Sequence, residues 1–86
     1  MSITISKNVL AQELSGETVL LDLASENYFG LDAVGTRVWQ LLNEGKDGSV
    51  LVDTLLDEYD VERKVLERDI AELLDRLSEA GLIEIA

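Results

Sequence analysis

Apolar and polar positions change rhythm once along this 86-residue chain. Up to about residue 31 they come in short, strand-like runs; beyond residue 33 they recur at helical intervals. The early runs are Val9–Leu14, Glu17–Leu23 and Asn27–Leu31, separated by turn signals at Ser15-Gly16 and Ala24–Glu26. Connections this short between apolar runs favour an antiparallel meander. Ile3–Ser6 reads as an extension of the first strand, kinked near Lys7-Asn8. Asp32 then offers a side-chain acceptor to the start of a helix over Ala33–Asn43, in which Val34, Val38, Leu41 and Leu42 follow the 3.6-residue repeat. That helix stops at Gly45.

Two more helices follow. The second is expected behind Ser49 as N-cap, with Val52, Leu55, Leu56 and Tyr59 as its buried stripe. The third spans about Glu62–Ala80 and carries Leu66, Ile70, Leu73 and Leu77 on one face. It ends at Gly81, where Leu82 closes on Leu77 as in a Schellman cap. Leu82–Ile85 is a candidate short strand. The expectation is therefore a single α+β domain over residues 1–86: a three-stranded antiparallel β-sheet followed by three α-helices, similar in outline to a winged helix-turn-helix.

That outline suggests DNA binding, with the last helix in the major groove. Charge argues against it. The chain carries 18 carboxylates against 7 Lys and Arg, a net charge of −11. Phosphate neutralisation supplies most of the affinity of nucleic-acid binders, and anionic membranes repel such a chain by the same arithmetic. The third helix holds Arg63, Lys64, Arg68 and Arg76, but it is outnumbered by Glu62, Glu67, Asp69, Glu72, Asp75 and Glu79. No nucleic-acid or membrane partner is expected. Without cysteine or histidine the chain has neither thiol chemistry nor the usual general base and metal ligand, so no catalytic residues, metal or cofactor are expected. Asp53, Asp57, Glu58 and Asp60 lack the loop spacing of an EF-hand and read as a solvated face. No apolar run approaches the ~20 residues that cross a bilayer, and MSITISKN lacks the features of a signal peptide. The expected location is the cytoplasm.

The wording of the chain then adds something that composition does not. VLLDLASENYFGLDAVGTRVWQLLNEG, a Ser-capped helix ending EYDV, and a last helix reading RDIAELLDRLSEAGLIE together resemble the PqqD-like family. These are the leader-peptide recognition elements of ribosomal peptide modification pathways. The resemblance covers about Val9 to Glu84. It is nearer to the standalone members of lasso-peptide clusters, which work beside a leader peptidase and a cyclase, than to the quinone-pathway member. That type has a Pro-Glu pair where this chain has Ser25-Glu26, and a cysteine where it has Leu42-Asn43.

The resemblance implies that a precursor's leader lies as an added strand along the third strand, in a groove walled by the last helix. Asn27, Tyr28, Phe29, Gly30 and Leu31 would form that edge. On the helix, Leu74 lies off the core stripe, on a flank shared with Arg63, Glu67, Ala71 and Ser78; the other flank carries Val65, Asp69, Glu72 and Arg76. Leu74 either broadens the core face or walls the groove, and the resemblance favours the groove, lined by Arg63, Glu67, Ile70, Ala71 and Leu74. Trp39, Phe29 and Tyr59 read as core, while Tyr28 alternates with Phe29 so that one of the two must leave the core face. The expected function is a non-enzymatic adaptor that binds a precursor leader and delivers it to a leader peptidase or other modifying enzyme. The alternatives are a winged-helix regulator and a self-associating structural domain.

Overall fold

The computed structural model describes residues 2–86. The meander forms as β2 (Val9–Leu14), β3 (Glu17–Asp22) and β4 (Tyr28–Leu31), preceded by β1 (Ile3–Ile5). The helices are α1 (Ala33–Asn43), α2 (Gly48–Glu58) and α3 (Arg63–Glu79), and β5 (Ile83–Ile85) closes the chain. The three-stranded sheet runs in the order β2-β3-β4, antiparallel throughout. Ser15 and Gly16 both have positive φ, which gives the β2–β3 hairpin the twist-matched two-residue turn. The β3–β4 loop is held by Asp22, whose carboxylate accepts from the Ala24 N–H at 3.1 Å and from the Ser25 hydroxyl at 2.8 Å.

β1 corrects one expectation. It does not extend β2 but pairs with β5, Ile3 opposite Ile85 and Ile5 opposite Ile83, in a separate two-stranded sheet. The two ends of the chain thereby close each other's backbone, with Ser6 N–H donating to the Leu82 carbonyl at 3.0 Å. The cause is non-local: β5 supplies a partner some eighty residues away, which no short window of sequence registers.

Helix ends follow local chemistry. Asp32 caps α1, its carboxylate accepting from the Gly35 N–H at 2.8 Å. Asp32→Ala removes that acceptor and is expected to cost about 1 kcal/mol, read as a lower midpoint in chemical denaturation with an unchanged slope. At the far end of α3, the Leu82 N–H reaches the Leu77 carbonyl at 2.9 Å and Gly81 N–H reaches Ser78 at 3.0 Å. Gly81 has φ +75, as the Schellman cap requires. α2 departs from expectation. It begins behind Asp47 rather than Ser49, and its buried positions are Leu51 and Leu55, with Val52, Leu56 and Tyr59 only half-buried.

The core gathers one face of the sheet and the inner faces of all three helices: Leu20, Leu31, Val38, Trp39, Leu41, Leu55, Leu66 and Leu77 among others. Inward positions of β3 and β4 are Thr18, Leu20, Phe29 and Leu31, opposite one another in register. A buried hydroxyl pair, Thr18 donating to Thr36 at 2.9 Å, ties β3 to α1 and leaves neither group unsatisfied. The other face of the sheet carries the exposed Leu10, Leu14, Val19 and Tyr28.

Candidate functional site

β4 is an edge strand. β3 lies on one side of it, and among the described residues no strand lies on the other. The Asp22 N–H donates to the Asn27 carbonyl at 2.9 Å. Since bonded and non-bonded pairs alternate along an antiparallel ladder, Asn27, Phe29 and Leu31 turn their backbone groups toward β3. The N–H and C=O of Tyr28 and Gly30 face the open edge. Those four groups are a template for another strand.

Beside that edge lies a cavity of about 490 Å³ between β4, the start of α1 and one flank of α3. Its floor is apolar: Leu31, Val34, Val38, Leu66, Ile70 and Leu73. Tyr59, Val61 and Val65 close one end, and Asp69, Glu72 and Arg76 form the helical wall. Gly35 packs tightly here, since a Cβ at that position would approach the Leu31 side chain to 3.2 Å. The glycine lets α1 follow β4 closely and so brings both to the same groove. Arg76 reaches across to β4, its guanidinium carbon 5.9 Å from the centre of the Phe29 ring, a cation–π distance.

The sequence-derived site residues divide. Gly30, Leu31 and Ile70 line this groove. Phe29 is half-buried and packs on the core under Arg76, while Tyr28, 74% exposed, points its ring to the opposite face of the sheet, so that only its backbone belongs to the edge. Asn27 ends the β3–β4 turn. Arg63, Glu67, Ala71 and Leu74 are not brought to β4. They line a second, smaller cleft of about 270 Å³ against α2, with Gly48, Leu51 and Val52. Leu74 is only 6% exposed. Beside β4 the structure places the other flank of α3 instead: Val65, Asp69, Glu72 and Arg76.

The physical reason lies in the connection. Only Tyr59–Glu62 separate α2 from α3, so the two helices pack as neighbours and α2 takes whichever flank of α3 is more apolar. That flank is Leu74's. With α2 on the Leu74 flank, the charged flank is left to face β4.

Two ion pairs hold this scaffold. Arg37 on α1 makes a two-pronged contact with Glu58 at the end of α2, both bonds 2.8 Å. The contact raises the Arg37 pKa and holds the Glu58 carboxyl below its ordinary value. It anchors the chain just before Tyr59, which closes the groove. Arg63 donates to Asp53 at 2.6 Å, its pKa raised by that bond, and pins the start of α3 to α2. Among the described residues no group of three or more His, Cys, Asp or Glu is placed to hold a metal, and no helix is long and apolar enough to cross a membrane.

An antiparallel meander whose β4 edge lies open beside a groove walled by the last of three helices defines an α+β module with room for a guest strand. Residues 17–83 match the family of coenzyme PQQ synthesis protein D (PqqD), and the chain belongs to that family. Two solved structures are similar over nearly its whole length. One is TbiB1 in complex with the TbiA(beta) leader peptide, 43% identical over 96% of each chain, with a TM-score of 0.91. The other is a lasso peptide synthetase B1 complexed with the leader peptide, 29% identical over 99% of this chain and 100% of the other, with a TM-score of 0.88. No curated protein matches.

Proposed function

We propose that this protein is a non-catalytic adaptor that binds the leader segment of a ribosomally made precursor peptide and delivers it to a leader peptidase or another modifying enzyme. The leader adds to β4 as a further strand. Its backbone pairs with Tyr28 and Gly30, and its inward side chains enter the groove between β4 and α3. The observation that carries this reading is the open β4 edge above an apolar floor, in a chain 43% identical to one solved with a leader peptide. The side-chain inventory agrees, since no cysteine or histidine is available for a nucleophile–base pair. The acidic balance makes DNA an unfavourable alternative for the same fold.

Titration of the labelled protein with the TbiA(beta) leader peptide tests this reading. Amide signals of Tyr28–Leu31 and of the Val65, Asp69, Glu72 and Arg76 flank are expected to move, with the outward positions of α2, such as Val50 and Asp57, silent. Duplex DNA at physiological salt is expected to leave every signal in place. Shifts confined to α2, or cleavage of the peptide by the purified protein alone, would overturn the assignment.

A further inference from the structure

The groove is not neutral. Three carboxylates line it (Asp32, Asp69 and Glu72) against one guanidinium, that of Arg76. Arg76 is already turned onto the Phe29 ring, and Asp32 is engaged in capping α1. Asp69 has a loose contact with Arg68, 3.8 Å between two exposed side chains, and among the described residues no ion pair forms at Glu72. The groove thus presents two carboxylates with free valence beside an apolar floor, in a chain whose net charge is −11. Apolar walls focus such a field into the cleft.

The geometry fixes where a complementary charge would sit. In a guest strand every second side chain points into the groove, and such neighbours lie about 6.6 Å apart along the strand. Asp69 and Glu72 belong to the i, i+4, i+7, i+11 stripe Val65, Asp69, Glu72, Arg76, whose members are separated by about 4.5–6 Å along the helix axis. In a guest running along α3, a side chain over Leu66, at the Val61 and Val65 end of the floor, has its inward neighbour about 6.6 Å further on, between the levels of Asp69 and Glu72, which lie about 4.5 and 9 Å from Leu66 along the helix axis.

We infer that the groove selects a peptide segment in which an apolar anchor is followed or preceded, two residues away, by lysine or arginine. Asp69 and Glu72 are the specificity-determining residues for that cation. The inference rests on the strand-addition reading above and adds the chemistry of the segment that is read. A glutamate at the same peptide position would be repelled by both carboxylates and by the field of the whole chain.

The test uses the full chain and the TbiA(beta) leader peptide, as parent and as a set in which each position in turn carries Lys or Glu. Binding is followed by fluorescence anisotropy at low and at physiological salt. At one position, two residues from an apolar anchor, the Lys peptide is expected to bind at least tenfold more tightly than the Glu peptide. In the Asp69→Asn/Glu72→Gln variant that ratio is expected to fall below threefold, while the parent still shifts the Tyr28–Leu31 amides. Both substituted side chains are exposed, so the fold is retained. If no position discriminates Lys from Glu, the inference falls and strand addition stands. If the preference survives in the variant, it belongs to the overall charge and not to these residues, and the inference falls again. If the parent peptide leaves the Tyr28–Leu31 amides unmoved, the strand-addition reading fails first and takes the inference with it.

Discussion

Leu74→Glu is expected to unfold the domain as completely as Leu73→Glu. The two leucines are 6% and 8% exposed and belong to the same core, although they lie on different sides of α3. Removing the packing of a buried leucine costs about 2–5 kcal/mol, and stranding a carboxylate among apolar neighbours adds about 1–3 kcal/mol. A domain of this size has roughly 4–13 kcal/mol of stability in total, so a combined loss of about 3–8 kcal/mol consumes much or all of it. Glu67, on the same flank, gives no relief, because it adds a like charge beside the new one. Thermal melts followed by circular dichroism should show no cooperative transition, or one lowered by about 20 °C or more. A melt within about 5 °C of the unsubstituted protein would mean that the α2–α3 cleft admits water freely and that Leu74 is not core.

Gly30→Pro has the opposite profile: binding lost, fold kept. The Gly30 N–H faces the open edge and makes no bond to β3, so its removal breaks nothing in the free protein. Proline is tolerated on edge strands when its missing N–H points away from the sheet. It also favours an extended conformation at the preceding Phe29. For a guest strand, the substitution deletes a backbone hydrogen bond worth about 1 kcal/mol and puts a ring where the guest's backbone must approach. A loss of leader affinity of about thirtyfold or more is expected, or roughly 2 kcal/mol, with a melting temperature within about 5 °C of the original. Gly30→Ala is the control, because a Cβ there meets nothing within 4 Å; it should bind and melt as before. If Gly30→Pro binds the peptide normally, the leader does not add to β4.

Much of this molecule was legible in the sequence, and the legible parts share a cause. The Ser15-Gly16 hairpin, the Asp32 cap, the bounds of α1 and the Gly81 cap each depend on residues within about five positions of one another. Hydrogen bonds that close so locally leave a local pattern of side chains. The resemblance carried by VLLDLASENYFGLDAVGTRVWQLLNEG led to the strand that the structure leaves open. It did not settle which flank of α3 faces that strand. Leu74 is large and apolar, and hydrophobicity alone does not distinguish a residue waiting for a ligand from one already covered by a neighbouring helix.

The sequence by itself determined the order of strands and helices, the stripe Leu66, Ile70, Leu73 and Leu77, and the acidic balance that disfavours nucleic acid. Each is a property of short segments or of the sum of residues. Only the tertiary structure decided that β1 closes on β5, that Phe29 turns inward while Tyr28 turns out, and that α2 covers Leu74 and leaves Val65, Asp69, Glu72 and Arg76 to face the open edge. These outcomes depend on which elements share the core, and that is set by burying the most apolar surface over the whole chain at once.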